Sequence, residues 1–173
     1  MANATPGKLG LLVRRNKGRT DHPYYATELA HVLKAGIRPG DILDLEQTDH
    51  LFAAHRDQSV RSNKEIGFAF KKKWKYEPTT EWLVLCRCLE ERLRSETAVL
   101  FAGPYEYCGA VKVDASRALN AAIPLLEFDR NTVRLQSVSS ESGLFLDLFE
   151  QDSEWFIELV VWGQWKRMAE SCD

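Results

Sequence analysis

TVRLQSVSSESGLFLDLFEQDSEWFIELVVW, Thr132–Trp162, decides the fold. Three runs, TVRLQSV (132–138), GLFLDLFE (143–150) and EWFIELVVW (154–162), alternate apolar and polar residues with a period of two. Ser-, Gly- and Asp-rich joins separate them, so the segment reads as an antiparallel meander of two consecutive hairpins. A tight turn centred on Asp152-Ser153 pairs Gln151 with Glu154, Phe149 with Phe156 and Asp147 with Glu158. A second turn centred on Ser140-Glu141 pairs Arg134 with Asp147. Arg134, Asp147 and Glu158 then form one cross-strand row, on a face that also carries Phe145, Phe149, Phe156 and Trp162. A shift of register in either hairpin breaks that row.

Like charges directly opposite on neighbouring strands destabilise a sheet, so the row asks for a reason. Arg134 bridging the two carboxylates is one. A cationic partner that neutralises them on binding is another. Acid–base catalysis, with one carboxylate kept protonated beside the other, is a third. A plain solvated face, with the charges spread by sheet twist, is the structural alternative.

Working outward, Lys71, Lys73 and Lys75 alternate with Phe70, Trp74 and Tyr76, which fits a strand with a lysine face, ended by Pro78. Thr80 is placed to cap a helix over 81–95, whose Trp82, Leu85, Cys86, Leu89 and Leu93 share a stripe. Ala98–Ala102 and Cys108–Val113 read as strands, and Asp114 as the cap of a short helix reaching about Ala122. Upstream, Leu9–Val13 reads as a short strand. A helix over 23–35 follows, with Asp21 or His22 as cap, Pro23 in its first turn and Gly36 past its end. Residues 42–46 suit a strand or a helical start, and 48–56 a short helix. Residues 57–65 show no period. The whole is α+β, with helices packed on one face of a mostly antiparallel sheet.

The chain has 173 residues, 45% apolar and 28% charged, which fits one soluble domain with residues 1–8 as a loose tail. No apolar run approaches a membrane span, and the first residues carry no signal-peptide core, so the cytoplasm is expected. Cys86, Cys88, Cys108 and Cys172 have no disulfide or zinc spacing and are expected as free thiols. The net charge of −2 hides an asymmetry. Residues 1–87 carry 15 Lys and Arg against 10 Asp and Glu, and residues 88–173 carry 8 against 15. The acidic half suits a cationic partner if the two halves do not intermix.

No P-loop, GxGxxG, GxSxG or HExxH motif occurs, and no cofactor or metal is expected. Asp49, His50, His55 and Asp57 are the nearest thing to a ligand set, but His50 and His55 diverge on a helix. Lys71–Lys75 with their aromatic neighbours offer a nucleic-acid alternative, against which stands a pI near 6.1.

Residues 97–165, with a strand, a short helix and two hairpins ending GLFLDLFEQDSEWFIELVVWGQW, resemble small bacterial immunity proteins. Those proteins bind and block toxins delivered between competing cells. The resemblance implies a non-enzymatic partner protein, an inhibitor of a basic toxin domain. Asp147, Glu158 and Arg134 are then expected at the centre of its surface, with Glu150, Asp152 and Glu154 at the rim. Trp155, Phe156 and Trp162 would be the anchors, although alternation sends the two tryptophans to opposite faces. An enzyme using the Asp147/Glu158 pair is the rival from another class.

Overall fold

The computed structural model describes residues 8–76 and 81–173. The fold is α+β. In chain order the elements are α1 (Lys8–Leu33), α2 (Leu45–Lys64), β1 (Ala69–Lys75), α3 (Glu81–Arg92), β2 (Thr97–Phe101), α4 (Tyr105–Cys108), β3 (Val111–Asp114), α5 (Ala115–Asn120), α6 (Ala122–Phe128), β4 (Thr132–Ser137), β5 (Gly143–Gln151), β6 (Glu154–Trp162) and α7 (Gln164–Glu170). The six strands form one sheet in the order β1-β6-β5-β4-β2-β3. Every neighbouring pair is antiparallel.

One face of the sheet is largely apolar, with Lys72 and Glu150 at its margins. Leu135, Leu144, Leu146, Ile157, Leu159 and Val161 alternate inward along β4 to β6 and join Tyr25, Leu29 and Leu33 of α1. Trp82, Leu85 and Leu89 of α3 and Trp165 of α7 complete that core. The opposite face meets α2 and Tyr105 of α4. There Leu51 and Phe52 pack on a smaller cluster of Leu43, Val99, Phe101, Tyr105 and Ala110. α2 covers the Trp162 end of β6 on this face, whereas Phe149, Phe156 and Glu158, toward the β5–β6 turn, stay half-buried and are not among the residues that pack on it.

Several local expectations hold. β1 is the lysine-faced strand, α3 occupies the predicted helix, and Asp114 caps α5 by accepting from the Ser116 amide at 3.0 Å. The expected roles of Pro78 and Thr80 lie outside the described residues.

Others are corrected. Leu9–Val13 is not a strand but the start of the 26-residue α1, which runs straight through Pro23. A proline inside a helix normally breaks it. Here tertiary anchors hold both sides: Arg14 pairs bidentately with Asp49 and Gly18 lies against the Tyr107 carbonyl, while Tyr25, Leu29 and Leu33 are buried beyond. Lys34, at φ 50°, takes the left-handed position after α1 that Gly36 was expected to fill. Residues 57–64, which lack a period in sequence, continue α2, and its first turn is capped by Asp44 accepting from the Gln47 amide at 2.8 Å. Cys108, expected to open a strand, ends the helical turn Tyr105–Cys108, so β3 begins only at Val111.

The four cysteines are not all free. Cys88 on α3 and Cys172, just past α7, form a disulfide with a Cα separation of 5.8 Å. Their separation of 84 residues in sequence concealed it, and the packing of α7 on α3 creates it. Cys86 and Cys108 remain buried thiols.

Candidate functional site

The β5–β6 turn fixes the site. Asp152 and Ser153 both take positive φ, 53° and 65°, the geometry of a two-residue hairpin turn. It pairs Gln151 with Glu154, Phe149 with Phe156 and Asp147 with Glu158, as the sequence reading expects. The β4–β5 turn is centred one residue earlier than expected, so Asp147 faces Thr132 and Arg134 faces Phe145. The buried Ser142 accounts for the difference. Its carbonyl accepts from the Ser137 amide and its amide donates to the Ser137 hydroxyl, closing the loop between them. Because the slip is two residues, Arg134 stays on the same face but leaves the row. On the other side β1 sets Lys73 beside Glu158. The row is therefore Lys73–Glu158–Asp147–Thr132.

Neither flanking cation reaches the carboxylates. Arg134 donates to Asp129 at 3.0 Å. The Lys73 ammonium bonds the Gln151 side-chain oxygen at 2.6 Å and sits 4.0 Å above the Phe156 ring and 4.9 Å from that of Phe149. Asp147 accepts from the Thr132 hydroxyl at 2.7 Å. Glu158 makes no side-chain hydrogen bond or ion pair among the described residues. Beside the pair, Phe149 and Phe156 stack with centroids 6.1 Å apart, both half-buried. The result is two facing carboxylates beside an aromatic step on an uncovered sheet face.

The expected surface residues divide by this geometry. Asp147, Phe156, Glu158 and Glu154 share the uncovered face, and Asp152 lies at the turn beside them. Glu150 and Trp155 face each other on the opposite side of the sheet, with Trp155 43% exposed near the end of the strands. Trp162 shares the face of Asp147, but it is fully buried beneath α2 and is no surface anchor.

The lysine strand gives the nucleic-acid alternative no support. Lys71 donates to Asn63, Lys72 pairs with Asp173, and Lys75 with Glu154. Phe70 and Trp74 pack inward against the main core rather than outward as stacking platforms.

A second feature escaped the sequence reading. Between α2 and the sheet lies a cleft of about 300 Å³ lined by Phe52, His55, Arg56, Ser59 and Val60 with Thr132, Arg134, Phe145 and Asp147. His55 is 3% exposed at its inner end. Burial, reinforced by the charge of Arg134, lowers its pKa to about 3 and keeps the ring neutral. Gln136 lies close enough to oppose that shift slightly, yet neither of its amide atoms reaches hydrogen-bond geometry. The available signal was the spacing Thr48, Phe52, His55, Ser59, Ser62, one stripe of α2 that turns toward the protein. Arg134 links this cleft to a larger groove by Tyr25, Tyr105 and Asp129. Burial raises the Asp129 carboxyl to about pKa 6, against the pull of Arg134 and the Gly103 amide.

Asp49 is taken up by Arg14, and among the described residues no group of three or more His, Cys, Asp and Glu side chains is placed to hold a metal ion. No helix among them is long and apolar enough to cross a membrane. No protein-family model, curated protein or solved structure matches the chain.

Proposed function

We propose that the chain is a protein-binding module, an immunity-type inhibitor that docks a basic toxin domain on the uncovered part of its sheet. The observation that carries this reading is the Asp147/Glu158 pair, which faces solvent without a neutralising cation although Lys73 and Arg134 stand close by. A like-charge pair costs stability in the free protein, and a partner's Lys or Arg side chain removes that cost on binding. Phe149 and Phe156 provide the adjoining apolar contact, replacing Trp162 in the anchoring role, since aromatic side chains desolvated at an interface commonly dominate its energy. Glu154 and Asp152 lie at the rim.

The compartment belongs to the same reading. The cytoplasm is expected from the sequence, whereas a Cys88–Cys172 disulfide favours an oxidising environment. Alkylating free thiols in intact native cells decides between them: two reactive cysteines added on reduction place the protein outside the reducing cytosol.

The test compares wild type with Asp147→Arg/Glu158→Arg as baits, alongside Arg92→Glu on the helix side. The expected result is one basic protein held at 1:1 by wild type and Arg92→Glu and lost by the folded double variant. The purified pair should bind more weakly as salt rises. Equal retention by all three baits overturns the docking face, and no stoichiometric basic partner for any of them overturns the inhibitor reading.

A further inference from the structure

We propose that the cleft between α2 and the sheet binds a small planar anion, a heteroaromatic ring whose edge meets His55 and whose acidic group lies between Arg56 and Arg134. The inner end of the cleft is the first argument. The Nδ1 atom of His55 has no hydrogen-bond partner. Immediately behind, the Trp162 ring packs edge-on to His55 with centroids 5.0 Å apart, and its indole N–H is likewise unpartnered. Gln136 is fully buried beside them, with both amide atoms unpartnered. Buried polar atoms are nearly always paired in native proteins, and of these residues His55 is the one that lines the cleft, so its unpartnered Nδ1 asks for a ligand atom that pairs it. A neutral imidazole nitrogen donates or accepts according to its tautomer, so the edge of a nitrogen heteroaromatic ring, as in pyridines, pyrimidines and purines, is the group that pairs it within a flat aromatic slot.

The walls and mouth give the rest of the ligand. Phe52 from α2 and Phe145 from β5 supply aromatic surface on either side. At the mouth, Arg134 gives one N–H to Asp129, and Arg56 makes only a long ion pair of 3.9 Å with Asp57 among the described residues. Asp147, the one acidic residue of the lining, accepts from Thr132. Uncommitted guanidinium donors select a carboxylate or a phosphate, which they bind in a fork. A volume of about 300 Å³ lies at the small end of ligand sites and admits one ring system with its acid group. This inference does not rest on the toxin-inhibitor reading, although Asp147 borders both surfaces.

The test titrates the full ¹⁵N-labelled chain and follows the indole N–H signal of Trp162. Nicotinate and adenosine 5′-monophosphate are the probes, and they separate a carboxylate from a phosphate source. Benzoate (ring without nitrogen) and inorganic phosphate (anion without ring) are the controls. A saturable shift with at least one ring acid, roughly ten-fold tighter than either control, is expected. Arg56→Ala, a change at an exposed position, should weaken it about ten-fold. His55→Phe, which keeps the aromatic packing, should bring the ring acid down to the level of its control. Asp147→Arg/Glu158→Arg tests the other surface and is not used here. No shift of Trp162 by either ring acid at about 10 mM overturns the site, as does a ring acid that binds no more tightly than its control in both pairs, nicotinate against benzoate and adenosine 5′-monophosphate against inorganic phosphate, or an unchanged affinity in Arg56→Ala.

Discussion

Asp147 and Glu158 stand directly opposite one another on β5 and β6, and the nearest lysine on the row, Lys73, turns away from them onto the Phe156 ring at 4.0 Å. A sheet evolved for stability alone would turn that lysine toward Glu158. Glu158→Gln should therefore stabilise the free protein, by about 0.3–1 kcal/mol, because it removes the like-charge pair and breaks no internal bond. Urea unfolding measures it. A loss of stability would mean that the carboxylate is satisfied within the protein rather than held for a partner.

His55 makes stability depend on acid. Its pKa falls from 6.5 in the unfolded chain to about 3 in the folded protein, through burial first and Arg134 second. Between those values the unfolded chain binds a proton that the folded protein refuses, so stability declines as pH drops from 6.5 toward 3. The full loss is on the order of 4–5 kcal/mol. Asp129 works in the opposite direction. Its folded pKa of about 6 lies above the unfolded 3.8, so acidification between those values favours the folded state. Thermal unfolding across this range should show a flatter profile for His55→Phe and a steeper one for Asp129→Asn. Parallel profiles for wild type and His55→Phe would place the imidazole in water.

The meander shows what a sequence reveals. The β5–β6 register is set by two residues at positive φ, so alternation and turn chemistry together are sufficient, and Asp147 opposite Glu158 follows. The β4–β5 register depends on Ser142, whose buried hydroxyl also accepts from the Gln164 amide. That contact comes from α7, 22 residues away, and leaves no local trace. The same holds for α1, where Pro23 and the short apolar run at Leu9 read as punctuation until Asp49 and Tyr107 supply their anchors. The His55 cleft was partly legible, since the polar residues of α2 repeat at helical spacing. What remained hidden was that this polar stripe faces the sheet.

Gly18 tests the anchoring of α1. A Cβ at this position would lie 2.0 Å from the Tyr107 carbonyl oxygen, a backbone atom that no rotamer change can move. Alanine gains up to about 1 kcal/mol of helix propensity over glycine, while overpacking costs about 1–3 kcal/mol. The clash should win, leaving Gly18→Ala less stable by about 1–2 kcal/mol and with a lower melting temperature. A stabilised variant would mean that α1 does not rest on α4.

Cys88 and Cys172 close a covalent loop across which α3 and α7 meet. Cross-linking residues 84 apart removes unfolded-state entropy worth about 4.5 kcal/mol at 25 °C. The stabilisation comes from the unfolded ensemble, so reduction should lower stability while leaving the native circular dichroism unchanged at moderate temperature. Cys88→Ser and Cys172→Ser should each match the reduced wild type and should no longer respond to reductant. Cys86→Ser serves as the control, because its thiol is buried and unbonded and its variant should keep the full response to reductant. Unfolding curves with and without dithiothreitol measure all four proteins. If reductant leaves the wild-type midpoint in place, the two sulfurs are not joined in solution, and the case for an oxidising compartment goes with them.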